Sequence, residues 1–403
     1  YSMGGVTSSP RFGVEVRRND TAEYLLGQFV GEKSLPLVSD YWQKLLALPL
    51  DLPWESDRVI RACQLLAMNN CSTRHLAKIL IHLAWCLQDC VSSSHDPSSP
   101  AFSEALNAVC ISSVFLKFLI EESNSDCFEE LHLSLDDTET LPNNFSEGKQ
   151  IESLIMHNVL KFIGTVDVSI GTYLLHQELL NFILIATSTQ LLSGPSPGPN
   201  DIHPFTDAAM AQEITLVNAV VQKMLLNYIN KPHYAPYISF TPWLSEGNET
   251  GVKVKVGFAG TNMMQLPFNY LVSIAGEGSS PLAEASLYVL LILINYRKCA
   301  FEDHHKDKWE NDSSESVKKE EACFYENPFC KALENARDTE FDRNDTEGNA
   351  HFLPLVRVPF TSLLDSLGSC LSNENSVMLL YSLVHSNSNF LEYVFVRSDV
   401  DTL

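Results

Sequence analysis

Apolar residues recur with helical spacing along most of this 403-residue chain. Between residues 73 and 91, Leu76, Ile79, Leu80, Leu83 and Leu87 follow one another at intervals of one, three and four, which places their side chains on one face of an α-helix. The alternation typical of β-strands occurs only over residues 251–256, too short a segment to anchor a sheet. The spacing therefore predicts an all-α fold.

Several helix starts are predicted from side chains that can accept a hydrogen bond from the first helical turn. A serine before a proline is a strong signal of this kind, because proline is well suited to the first helical position. The predicted caps are Ser72 or Thr73, Ser99 before Pro100, Asp207, Ser280 before Pro281, and Asn373.

Long helices joined by polar turns favour an irregular α-solenoid, a HEAT- or armadillo-like helical array with long loops. No repeat of fixed period is visible, so the array would be degenerate. The predicted organisation is a flexible tail with a lipidation signal (1–20), a first helical array (21–192), a Pro-rich loop (193–206), a second array (207–299) with a long irregular insert (232–280), an acidic and disordered loop (300–350) with a short helix near 324–336, and a final array (351–403).

The charge of the chain argues against some classes of partner. It has 27 basic and 50 acidic side chains, a net charge of −23 at pH 7. A broad nucleic-acid interface needs a clustered surplus of lysine and arginine, and so does adhesion of a whole surface to an anionic membrane. We therefore predict no nucleic-acid partner, and membrane contact only through a local device.

The cellular compartment is predicted from the apolar runs and the cysteines. The first thirty residues contain no apolar run of signal-peptide length, and the most apolar run, Leu287–Ile294, is far shorter than the roughly twenty residues a membrane span needs. The ten cysteines are interpreted as small hydrophobic residues, because several lie in apolar helical stretches. A cytoplasmic protein without a transmembrane span is expected.

One constellation in the sequence could hold a metal ion. His82, Cys86 and Cys90 are four residues apart, so a helix would present all three on one face, and nitrogen and sulfur ligands suit zinc. Their setting is strongly apolar, which favours buried core residues instead. The motifs of serine hydrolases, zinc proteases, phosphate loops and dinucleotide sites are not found. We predict no enzyme, no catalytic or metal-binding residue and no cofactor; a zinc-dependent enzyme is the remote alternative.

The amino-terminal residues fit a signal for N-myristoylation. Read from Met3, the chain continues through Gly4 to Ser8 in the pattern Met-Gly-x-x-x-Ser, with Gly4 as the acceptor. A chance match on a flexible tail is the alternative. One myristoyl chain gives only marginal, reversible membrane binding, to which Arg11, Arg17 and Arg18 would add a modest electrostatic contact.

Several segments together resemble the dymeclin family, in particular its plant-type members, with a more distant likeness to the Hid-1 proteins. The likeness covers essentially the whole chain, and the Met3-Gly4 start is shared. The segments that carry it are Glu23–Leu25, Asp40–Leu46, Arg74–Leu80, Ser280–Leu287, Leu379–Asn389 and Arg397–Asp399.

The resemblance implies a non-enzymatic protein on the periphery of Golgi membranes, needed for Golgi organisation and secretory vesicle trafficking. It implies cycling between cytosol and membrane, anchorage by myristate on Gly4, and Golgi- or vesicle-associated protein partners. A soluble helical adaptor or transport receptor without a membrane role is the main alternative. Because family members are longer, we expect an amino-terminal portion whose array ends in an uncapped apolar face.

Overall fold

A computed structural model describes residues 11–48, 56–92, 99–122, 131–135, 139, 150–192, 197–233, 280–300, 324–339 and 355–397. Within these residues nearly all regular structure is helical, which confirms the all-α prediction. The helices are α1 Arg11–Phe29, α2 Asp40–Leu46, α3 Ser56–Thr73, α4 His75–Ser92, α5 Pro100–Glu122, α6 Ile151–Thr165, α7 Tyr173–Thr187, α8 Pro204–Met210, α9 Ile214–Asn230, α10 Pro281–Asn295, α11 Pro328–Glu334, α12 Phe360–Ser369, α13 Glu374–Ser386 and α14 Ser388–Val396.

Other regular structure in the described residues is slight. A short 3-10 helix, Ser188–Leu192, follows α7, and two strands of two residues each, β1 Arg337–Asp338 and β2 Arg357–Val358, pair in parallel. The short helix predicted near 324–336 is α11. Gly4, residues 251–256, most of the 232–280 insert and most of the acidic 300–350 stretch lie outside the described residues.

Three of the predicted caps are confirmed. Ser280 Oγ accepts a hydrogen bond from Ala283 N at 3.4 Å, and the following proline occupies the first turn of α10. Asn373 Oδ1 accepts from Asn375 N at 2.9 Å at the start of α13. Ser99 caps α5 in the same way. These caps satisfy amide groups that have no partner inside their own helix.

The predicted cap at Ser72 or Thr73 is wrong. Both hydroxyls donate back to Asn69 O at 3.0 Å, because both residues still belong to α3. A single residue, Arg74, separates α3 from α4 and has the left-handed backbone conformation. The amide of Leu76 instead donates to the side chain of Asn70, at 3.0 Å.

The cap predicted at Asp207 is also wrong, because α8 and α9 are separate helices. Asp207 lies in α8, whereas Glu213 is the residue that precedes α9. The Asp207 carboxylate binds two groups beyond α10: it accepts a hydrogen bond from the Tyr296 hydroxyl at 2.9 Å and pairs with Lys298 at 2.9 Å. Its role is therefore to join α8 to the segment after α10.

The helices pack around one continuous apolar core. Helix α4 packs on α5 and α6, α5 on α7, α6 on α9, and α10 on both α7 and α9. Helices that are separated by one other helix in the sequence, such as α4 and α6, therefore pack against each other and form a layered body. A solenoid superhelix stays a prediction, since these contacts do not establish a regular repeat.

Helix α5 is the one helix of the described residues that is long and apolar enough to cross a membrane by length and composition. In the fold, 72% of its most apolar window is buried. Core helices of water-soluble proteins have the same composition, and the packing of α5 on α4 and α7 accounts for its apolar character.

Candidate functional site

A cluster of buried polar side chains lies where α4 meets the loop between α1 and α2. His75, Lys78 and His82 occur at spacings of three and four along α4, so all three side chains point to the same side of that helix. They contact residues 34–37. We call His75, Lys78 and His82, together with Trp42 and Glu139, the loop clamp.

His75 fixes two main-chain groups with one ring. Its Nδ1 lies 2.6 Å from Phe29 O and its Nε2 accepts a hydrogen bond from Leu35 N at 3.0 Å. Because a carbonyl can only accept, Nδ1 carries the proton and the ring is neutral. Burial lowers the pKa of His75 to about 4, against the opposing effect of the bond to Phe29.

Lys78 is a fully buried cation with three partners. Its Nζ donates to Ser34 Oγ at 2.9 Å and to Leu35 O at 2.8 Å, and it forms an ion pair with the Glu139 carboxylate. The second oxygen of Glu139 accepts from Leu37 N at 3.1 Å. A charge at this depth is tolerated only when it is paired and hydrogen-bonded, and here both conditions are met.

His82 contacts the last residue of the loop segment 34–37. Its Nε2 donates to Leu37 O at 2.9 Å, and its ring stacks on Trp42 with centroids 5.1 Å apart. The indole of Trp42 donates to Pro36 O at 2.9 Å. Burial lowers the pKa of His82 to about 4, so its ring is neutral at pH 7. His82 therefore lies on the predicted face of its helix, but its ring binds a main-chain carbonyl of the protein.

The two cysteines that share this helix are buried thiols. Burial raises the pKa of both Cys86 and Cys90 to about 12, so both thiols are protonated at pH 7. Among the residues that the structure describes, no group of three or more His, Cys, Asp or Glu side chains is arranged to hold a metal ion. The eight cysteines in this part of the chain form no disulfide.

Two asparagines, one half-buried and one buried, join helices in the carboxyl-terminal part of the described residues. Asn327 caps α11 by accepting from Phe329 N at 2.9 Å, and its amide donates to Leu293 O and Tyr296 O at the end of α10. A cap that also binds the preceding helix fixes the angle between the two. The sequence signal for this residue is the Asn327-Pro328 pair, a cap followed by proline at the first helical position.

Asn387 repeats this arrangement one step later. Its Oδ1 accepts from Phe390 N at 2.8 Å, and its amide donates to Leu333 O at 2.7 Å and Ala336 O at 2.9 Å. Asn387 thus couples α14 to the end of α11. It lies inside the Leu379–Asn389 segment, on which the family resemblance depends most strongly.

We expect Asn387→Ala to lower the free energy of unfolding by about 2–3 kcal/mol, because it removes a helix cap and the side-chain amide that donates to the buried carbonyls of Leu333 and Ala336. Asn389→Ala is the matched control: the residue lies two positions further on in the same helix and is exposed. Urea denaturation of both variants measures the difference. Equal losses for the two variants would contradict the coupling role of Asn387.

The loop clamp and the asparagine couplings bind main-chain groups of the protein itself. The atoms described above fix the α1–α2 connection on α4, and the ends of α10 and α11 on the helices that follow. Their chemistry is that of positioning, because most of these contacts hold a backbone carbonyl or amide. The clamp also unites two of the segments that carry the resemblance, Asp40–Leu46 and Arg74–Leu80.

Comparison with known proteins gives the family. The family model "Dymeclin: Dyggve-Melchior-Clausen syndrome protein" matches residues 3–403. Dymeclin of Mus musculus is 24% identical over 403 residues, which cover 94% of this chain and 54% of the mouse protein. Dymeclin of Xenopus laevis is 22% identical over 400 residues, with the same coverage of 94% and 54%.

A third relative is matched over fewer residues. Dymeclin of Dictyostelium discoideum is 26% identical over 318 residues, which cover 74% of this chain and 30% of that protein. The chain spans about half the length of its vertebrate relatives. No solved structure matches it. Since the family model covers almost the entire sequence, this chain belongs to the Dymeclin family.

Proposed function

We propose that this chain is a non-enzymatic scaffold or adaptor on the periphery of Golgi membranes, where it serves Golgi organisation and vesicle trafficking. Membership of the Dymeclin family is the observation that carries the proposal. The loop clamp and the asparagine couplings are consistent with it, because they hold helices in fixed relation to one another. A rigid helical surface is well suited to docking other proteins.

Attachment to the membrane is proposed to occur through a myristoyl group on Gly4. Such a chain alone binds a bilayer weakly, with an association constant of about 10⁴ M⁻¹. The arginines at 11, 17 and 18 would add attraction to anionic lipids, whereas the net charge of −23 on the whole chain opposes it. The balance predicts reversible binding that weakens as salt is added.

Expressing the chain from Met3 in cells, with and without Gly4→Ala, tests this proposal. We expect the variant to lose about tenfold or more of its membrane-bound fraction, because a single acyl chain is proposed to supply most of the attachment. Fractionation of cytosol and membranes, with imaging against a Golgi marker, measures the change.

Gly5→Ala provides the matched control, since it alters the neighbouring glycine but keeps the Met-Gly-x-x-x-Ser pattern. The control is expected to distribute like the unmodified chain. If Gly4→Ala leaves the distribution unchanged, the membrane anchor is wrong and a soluble adaptor is favoured. If both variants lose membrane binding equally, acylation of Gly4 does not explain the loss and the proposed anchor is wrong.

A further inference from the structure

Helix α13 is apolar on two opposite faces. Its inner face carries the buried side chains of Ser376, Leu379 and Leu383, and packs against α10, α11 and α14. At 100° per residue, Val377, Met378, Tyr381 and Val384 lie on the opposite side, which also carries Glu374 and His385 at the two ends of the helix. We call the four apolar residues the outer face of α13.

The outer face is exposed among the residues that the structure describes. Its four side chains are between 37% and 67% exposed, with Tyr381 the most exposed. By contrast, 12 of the 18 residues of α4 are buried, as in a helix covered from several sides. A surface helix of a water-soluble protein normally has a charged or polar outer side. The acidic and basic residues of α13 are Glu374 and His385, at its ends, so its middle turns resemble those of a helix that lies between two layers.

We propose that the outer face of α13 is a docking surface for a further helical layer, supplied by the part of a Dymeclin-family chain that lies outside the region matched here. Two observations support this occupant. The mouse relative has 46% of its length outside the match, since 54% is covered. A two-sided helix in an all-α fold buries its second side most directly against another amphipathic helix.

Two other occupants fit the outer face less well. A membrane surface would favour lysine or arginine beside the apolar residues, and the sequence of α13 contains neither. A second copy of this chain would bring together two bodies of net charge −23. One face of a 13-residue helix is also small compared with the 1,200 Å² or so that a stable interface buries. The proposal is independent of Gly4 and of membrane attachment.

Photo-crosslinking in the intact mouse relative tests the occupant. Benzoylphenylalanine is placed at the position aligned with Tyr381, and in a control protein at the position aligned with Ile170, which is 80% exposed here. We expect the first position to form cross-links to residues outside the matched region, several-fold more often than the control. Cross-links between two copies, cross-links to lipid, or a yield equal to the control would each overturn the proposal.

A second experiment on this chain tests whether the face is open. The double variant Tyr381→Asp/Val384→Asp is expected to melt within about 2 °C of the unmodified chain and to bind less of a fluorescent hydrophobic dye. Leu379→Asp, on the inner face, should abolish cooperative melting. If the double variant is destabilised as strongly as Leu379→Asp, the outer face is already covered within this chain and the proposal fails.

Discussion

Replacing Lys78 with methionine is expected to lower the free energy of unfolding by about 3–5 kcal/mol, the usual cost of breaking a buried ion pair from one side. Methionine has a similar length, so the cavity stays filled. The Glu139 carboxylate would lose the cation that compensates it, and Leu35 O would lose a donor. Urea denaturation, monitored by circular dichroism, measures the loss.

Lys44→Met is the matched control for this experiment. Lys44 also forms an ion pair, with Asp40 at 2.7 Å, but both side chains are mostly exposed. Solvent screens such pairs, so the free energy of unfolding should not change measurably. The double variant Lys78→Met/Glu139→Leu should recover part of the loss, because it leaves no buried charge. A Lys78→Met protein as stable as Lys44→Met would show that the buried pair does not hold the loop.

Acidification is expected to destabilise the fold strongly between pH 7 and pH 4. Burial lowers the pKa of His75, His82 and His176 to about 4, from an ordinary value of about 6.5. In this window the histidines bind protons in the unfolded chain but not in the folded chain. Their contribution to the free energy of unfolding is therefore present above pH 6.5 and is lost as pH falls. Each histidine contributes roughly 2–3 kcal/mol to the loss by pH 4.5.

Glu178 acts in the opposite direction. Burial raises its pKa to about 7, so the folded state binds a proton there before the unfolded state does. Acidification to pH 4.5 therefore raises the free energy of unfolding by roughly 3 kcal/mol through this site. For Glu178 and the three histidines together, the free energy of unfolding falls by about 5 kcal/mol. The free energy of unfolding, measured by urea titration at a series of pH values, gives this number directly.

Two variants separate these contributions. Glu178→Gln removes the opposing group, so its stability should fall more steeply with acid than that of the unmodified chain. Asn389→Ala removes an exposed side chain that does not titrate and should leave the slope unchanged. A stability that stays flat from pH 7 to pH 4.5 in all three proteins would contradict the buried, neutral state of the histidines.

Local signals in the sequence were sufficient for the helices and for part of their ends. Ser280 and Asn373 were predicted as caps because a cap bonds to amides two or three residues away, and such spacing is visible in a sequence. Asp207 has the same character and accepts from His203 N at the start of its own helix, but it also binds Tyr296 and Lys298, about ninety residues further on. Competition from distant partners of this kind cannot be predicted from spacing alone.

The loop clamp shows the same limit. The spacing of His82, Cys86 and Cys90 correctly placed them on one helix face, but their chemistry depends on what covers that face. Glu139 is 102 residues from Leu37, in a polar stretch without helical periodicity, so no pattern indicated that it pairs with Lys78. The buried charges of this fold were therefore the part that sequence reasoning missed.

The ion pair between Lys78 and Glu139 also has a consequence for synthesis on the ribosome. At about 5–20 residues per second, Lys78 is made roughly 3–12 seconds before its carboxylate partner exists. During that interval the first helices cannot enclose the ammonium group without a large desolvation cost. We therefore expect the nascent amino-terminal helices to remain incompletely closed, and accessible to chaperones, until residue 139 has left the exit tunnel.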